Sequence, residues 1–150
     1  MISLSRTTSE SQNFIALVKL LDADLAARDG EEHNFYAQFN KIAALNFVVV
    51  ALENGKALSC GAMKEIEKNK VEIKRMFTLP THRGRGLAAQ VLAELETWAK
   101  ELNYTSAILE TGQKQPEAIA LYTRCGYKII PNYGQYVGIE NSVCFEKVLH

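Results

Sequence analysis

Several signatures are absent from this chain, and each absence removes a class of protein. The three cysteines, Cys60, Cys125 and Cys144, are scattered and odd in number. They outline no disulfide framework and suit a reducing cytoplasm. No cluster of side chains has metal-ligand spacing, and the histidines lie far apart, so no metal site is expected. No apolar run approaches the ~20 residues that a membrane span needs. The start, Met1-Ile2-Ser3-Leu4-Ser5-Arg6, has no apolar signal-peptide core, which points to a cytoplasmic protein. Charge of one sign is also missing: 17 basic residues face 17 acidic ones among 150 residues. Bulk nucleic-acid binding is therefore not suggested. There is no repeat, low-complexity segment or linker, and 47% hydrophobic content is enough to build one core. A single domain over residues 1–150 is expected.

The elements follow from periodicity. Ile2 to Thr7 alternates like a short edge strand. Phe14, Leu17, Val18, Leu21 and Leu25 recur at helical spacing, capped by Ser9 or Ser11 and stopped by Gly30. A second short helix is expected from about Glu32 to Ile42. Phe47 to Leu52 is an apolar, β-branched strand, and Asn54-Gly55 marks a hairpin returning through Lys56 to Ile66. Lys68-Asn69-Lys70 turns into the strand Val71 to Leu79. There, Val71, Ile73, Phe77 and Leu79 share a face by alternation, but Arg75 falls on it too. A bulge near Lys74 or Arg75 would re-aim the side chains. Gly86 to Leu102 carries Leu87, Val91, Leu92, Leu95, Ala99 and Leu102 on one stripe of a helix about 25 Å long. Ser106 to Glu110 is the next strand, so the strand–helix–strand order implies a parallel pair with a right-handed crossover. Pro116 opens a further helix and Gly126 ends it. Tyr127 to Ile130 and Ser142 to Leu149 are the last strands, joined by the aromatic loop Pro131 to Asn141.

The most informative stretch is His82-Arg83-Gly84-Arg85-Gly86-Leu87-Ala88, a glycine-rich turn between a strand and a helix. Such a turn presents unpaired backbone N–H groups at the positive end of the helix dipole. That arrangement binds phosphate, and Arg83 and Arg85 add charge. No lysine-serine or lysine-threonine pair follows, so it is not a P-loop. No third glycine completes a dinucleotide fingerprint. A compact turn suited to a pyrophosphate remains.

Arg83 to Ala88 resembles the pyrophosphate-binding signature of the GNAT superfamily of acyl-CoA-dependent N-acyltransferases. Ala118-Ile119-Ala120-Leu121-Tyr122, followed by Cys125-Gly126-Tyr127, is similar to that family's late helix and the strand after it. The resemblance covers about residues 45–149. It implies an α/β (α+β) fold with a central mixed, twisted sheet of about six or seven strands flanked by about four helices. It also implies an N-acetyltransferase that moves an acetyl group from acetyl-CoA to a primary amine by direct attack through a tetrahedral intermediate. The alternative is a catalytically idle acyl-CoA-binding module. The partner implied is a small-molecule amine acceptor, with no nucleic acid or membrane, and a homodimer is compatible with it.

The resemblance distributes roles over the chain. The strand Val71 to Leu79 is bulged and splayed from its neighbour, and the cofactor's pantetheine arm pairs with it at Met76, Phe77 and Thr78. The Met76 N–H is the candidate oxyanion donor. Arg83, Gly84, Arg85, Gly86, Leu87 and Ala88 hold the pyrophosphate. Where the family often has an asparagine touching the pantetheine arm, this chain has Gln115. Tyr122 occupies the position of a tyrosine that protonates the leaving thiolate. Glu72 is the candidate general base, directly or through a water, because it shares strand parity with Met76 and Thr78. Other members of the family use different residues, and some rely on water alone.

The acceptor pocket is implied between the first two helices and the late loop. That nominates Asp24, Glu31, Phe35 and Tyr36 on one side and Tyr133 and Tyr136 on the other. Between Asp22 and Glu32, five carboxylates face Arg28 alone. Carboxylates beside aromatics suit a cationic amine.

Overall fold

A computed structural model describes residues 1–29 and 45–150. Seven strands form one sheet: β1 (Ile2–Thr7), β2 (Phe47–Glu53), β3 (Lys56–Glu67), β4 (Lys70–Thr78), β5 (Ser106–Gly112), β6 (Lys128–Ile130) and β7 (Ser142–Val148). Their order is β1-β2-β3-β4-β5-β7-β6. Every neighbouring pair is antiparallel except β4 and β5, which are parallel. Among the described residues three helices accompany the sheet: α1 (Gln12–Asp29), α2 (Leu87–Glu101) and α3 (Pro116–Arg124). About four helices were expected; the one over Glu32 to Ile42 lies outside the described residues. Among the described residues, no helix is long and apolar enough to cross a membrane.

The unbroken apolar run of β2 reflects burial on both faces. Val48 and Val50 share a core with Phe14, Leu17, Val18 and Leu21 of α1. Val49 and Ala51 point the other way and share a core with Val91, Leu92 and Leu95 of α2. The helix α1 therefore covers one face of the sheet and α2 the other. Asn54 and Gly55, at φ +52° and +80°, make the tight hairpin between β2 and β3.

The strand β4 carries the expected bulge, and its effect differs from simple alternation. Ala62 of β3 faces Lys74, whereas Cys60 faces Phe77. Two steps on β3 thus match three on β4. The extra residue is accommodated at Arg75, whose φ of +59° is left-handed. Val71 and Ile73 lie in the α2-side core, but Phe77 lies in the α1-side core. The shared face expected for Val71, Ile73 and Phe77 is thus broken. For the same reason Glu72 and Met76 do not share a face: Met76 packs with Val71 and Ile73, the residues that alternate with Glu72.

The bulge coincides with a parting of the sheet. The pair β4/β5 is registered only over Lys70–Glu72 against Ser106–Ile108. Beyond it, β4 stays paired to β3 as far as Thr78, and β5 stays paired to β7 as far as Gly112. A wedge opens between the two halves, and the α2 N-terminus and α3 border it.

Candidate active site

Two cavities meet in this wedge. The larger, of about 310 Å³, is lined by the end of β4, the turn before α2 and the first turns of α3. The smaller, of about 100 Å³, is lined by the middle of β4, by Glu110 and Thr111 of β5, and by Tyr136 of the late loop. Leu21, Met76, Gln115, Ala118 and Tyr122 line both. A molecule in one cavity can therefore touch a molecule in the other beside Met76 and Tyr122.

The larger cavity is built for an extended anion. Gly84 and Gly86 stand at φ +83° and +78°, and a β-carbon on either would have no heavy atom within 4 Å. The glycines are thus required by backbone conformation, and the space above them is open. Gly86 caps α2 without a side-chain hydrogen bond, and the first amide to bond back is that of Gln90, to the Gly86 carbonyl at 3.1 Å. Leu87, Ala88 and Ala89 have no carbonyl one turn back, so their N–H groups are donors at the positive helix end. The Arg83 Nε donates to the Thr78 carbonyl at 3.0 Å, and its guanidinium lies 5.6 Å from the Phe77 ring centroid. These contacts fix the strand end against the turn.

Every residue expected to hold the cofactor lines this cavity except Arg85. Arg85 turns outward and bonds Glu53, with Nη2 to Oε2 at 2.8 Å. Gly61 is a residue that sequence reasoning missed. A β-carbon there would collide with the Met76 sulfur and stand 3.0 Å from Leu95 and Val91. Glycine at this point lets Met76 lie against β3 at the edge of the wedge.

The smaller cavity gathers charge. Glu72 is 5% exposed. Its Oε2 accepts a hydrogen bond from the Tyr133 hydroxyl at 2.6 Å, and its Oε1 lies 3.5 Å from the Lys74 Nζ. Burial, and then the Glu72 charge, push the Tyr133 hydroxyl well above its ordinary pKa. Glu110 also enters here, accepting from the Ser142 hydroxyl at 2.7 Å. It was not anticipated, although a carboxylate at the end of the apolar run Ala107-Ile108-Leu109 was a visible signal.

Tyr122 sits where the cavities join. Its ring is fixed by edge and tilted contacts with Tyr127 and Phe145, at centroid distances of 5.9 and 6.0 Å. Burial raises its pKa far above the usual value, with Cys125 and Glu110 adding to the effect. The hydroxyl therefore keeps its proton at neutral pH.

The acceptor residues divide. Tyr136 lines the smaller cavity and Tyr133 reaches it through Glu72. Asp24 lines the larger cavity instead and bonds the Arg28 Nε at 3.2 Å. Arg28 also bonds Glu117 of α3, tying α1 to α3 across the wedge. Glu31, Phe35 and Tyr36 lie outside the described residues. The three cysteines are free; burial pushes the Cys60 thiol up to about 12 and raises those of Cys125 and Cys144, so none is prepared as a nucleophile.

Comparison with known proteins agrees with this geometry. The model of the acetyltransferase (GNAT) family matches residues 14–127. An IAA acetyltransferase from Azospirillum brasilense is 29% identical over 150 residues, covering 99% of this chain and 98% of that protein. Among solved structures, a candidate acyl-CoA N-acyltransferase from Klebsiella pneumoniae is 31% identical, with a TM-score of 0.84 over 100% of this chain and 99% of its own. The PaiA N-acetyltransferase from Thermoplasma acidophilum, solved in complex with coenzyme A, shares the fold at a TM-score of 0.73 and 15% identity, covering 99% of both chains.

Proposed function

The chain belongs to the acetyltransferase (GNAT) family, and from that premise we propose that it transfers an acetyl group from acetyl-CoA to the amine of a small molecule. The observation that carries the reading is the meeting of the two cavities at Met76 and Tyr122. A fold relative solved with coenzyme A supports the choice of cofactor. The turn fits that cofactor, because its left-handed glycines leave open a cradle of helix-start amides. When bound, acetyl-CoA supplies an activated acetyl thioester.

The rest is done by side chains and amides of this chain. The amides from Gly84 to Ala88 and the Arg83 guanidinium hold the pyrophosphate. Met76, Phe77 and Thr78 align the pantetheine arm along the open edge of β4, with Gln115 reaching it from the start of α3. The Met76 N–H donates to the oxygen on which negative charge develops. An alkylamine of pKa ~10.4 is less than about 0.1% neutral at pH 7, so a proton must be removed before attack. Glu72 accepts it, directly or through a water, from the face of the sheet opposite the Met76 side chain. The two faces suit a reaction in which the amine and the thioester arrive from different sides. The Tyr122 hydroxyl gives its proton to the departing sulfur.

A thiol-release assay with acetyl-CoA against a panel of primary amines tests the proposal. Amine-dependent release of free thiol is expected. Tight acetyl-CoA binding with no release on any amine would instead mark an acyl-CoA-binding module.

A further inference from the structure

Arg75 is an arginine held in an expensive place. Its side chain is 4% exposed, and its backbone is left-handed. Arginine keeps its charge under all ordinary conditions, so burial cannot be relieved by losing a proton. Its only carboxylate partner among the described residues is Asp22 of α1, with Nη1 at 3.0 Å from Oδ1 and Nη2 donating to Oδ2 at 3.4 Å. The Nη1 contact is an ion contact without hydrogen-bond geometry: Nε and Nη1 are buried and have no hydrogen-bond acceptor among the described residues. A buried charged donor without an acceptor costs free energy that the fold must recover elsewhere. Strain and an unpaired polar group at one residue, at the bulge that opens the wedge, are features that gather at ligand sites.

Arg75 lines the smaller cavity together with Lys74, Glu72 and Glu110. Two cations and two carboxylates line it, and Asp22 is a third carboxylate against Arg75. A purely cationic acceptor would add a positive charge beside a guanidinium of which two nitrogens lack an acceptor among the described residues. We infer that the acceptor carries a carboxylate as well as its amine, and that Arg75 binds this carboxylate while the amine is turned toward Met76 and Tyr122. The inference deepens the acetyl-transfer reading and rests on it. A planar guanidinium fork suits a two-oxygen anion better than any other cationic side chain does. Asp22 reaches the guanidinium only at its Nη atoms, so among the described residues Nε and Nη1 still lack an acceptor that a carboxylate of the substrate can supply.

The test compares amino acids with their carboxamides, at equal concentrations of free amine, in the thiol-release assay. The expected result is a kcat/KM roughly ten- to a hundredfold higher for the acids. In Arg75→Gln this preference should vanish while acetyl-CoA affinity, read by calorimetry, stays unchanged. Equal use of acids and amides by the unaltered protein would overturn the inference, and needs no variant to fold. A second readout works without turnover: N-acetylated amino acids and their amides are titrated into the protein by calorimetry. Preference for the acids with no thiol release on any amine would uphold the Arg75 site and sink the transferase reading. Thiol release with no such preference would do the reverse.

Discussion

The Tyr133 hydroxyl donates to the Glu72 carboxylate at 2.6 Å, joining the loop after β6 to the middle of β4 across 61 residues of sequence. The bond closes one side of the smaller cavity and orients the carboxylate proposed to receive the amine's proton. Tyr133→Phe removes a hydrogen bond to a buried charge, which is worth about 1.5–3 kcal/mol. The expected outcome is a stability loss of that order in urea titration. A higher acceptor KM with unchanged acetyl-CoA affinity should accompany it, because the loop borders the cavity proposed to take the acceptor. An unchanged acceptor KM would mean that the loop does not shape the cavity.

Glu72→Gln tests the base through pH. The fraction of neutral amine rises tenfold per pH unit below its pKa of ~10.4, so a base matters most where free amine is scarce. The variant should lose rate most near neutral pH, and the loss should shrink as pH approaches that of the free amine. A uniform loss at every pH would show that Glu72 only holds Tyr133 and Lys74 in place. The same profile measured for Glu110→Gln separates the two carboxylates of the cavity.

The parts of the site that depend on neighbours in sequence were legible in it. The turn at Gly84 and Gly86, the α2 stripe and the helix opened by Pro116 that bears Tyr122 each follow from one local pattern. The break in β4 was legible as well, because Arg75 interrupted an alternation. Its consequence was not. One inserted residue reverses every side chain after it, so the parity that linked Glu72 to Met76 and Ile73 to Phe77 dissolves. Charge pairing was the least readable property. Asp22 and Arg75 are 53 residues apart, and Arg28 and Glu117 are 89 apart. The carboxylates of α1 therefore looked like an acidic patch opposed by Arg28 alone, although Asp22 faces Arg75 in the fold.

Gly86→Glu probes the phosphate cradle. Nothing crowds a β-carbon at Gly86, so the fold should survive with a left-handed strain of roughly 1–2 kcal/mol. The new carboxylate would stand at the positive end of α2, where the pyrophosphate is proposed to sit. Calorimetry should show acetyl-CoA affinity falling by at least tenfold, while thermal melting shows a folded protein. Unchanged affinity in the folded variant would remove the turn from the binding site.

Tyr122→Phe separates chemistry from packing more cleanly than any other single change. The ring is held by Tyr127 and Phe145. Phenylalanine keeps those ring contacts, so stability should change little. Acetyl-CoA affinity should also hold, since the amides of the turn and not the phenol are proposed to bind the charged part. The turnover number should fall by about 10²- to 10⁴-fold, the range for a well-placed general acid. Because burial holds the Tyr122 pKa far above its usual value, the hydroxyl stays protonated through neutral and mildly alkaline pH, and the deficit should be constant across that window. This differs from the deficit of Glu72→Gln, which should shrink as pH rises. A variant with full turnover would leave Tyr122 as a spacer between the cavities, with the departing sulfur taking its proton from water.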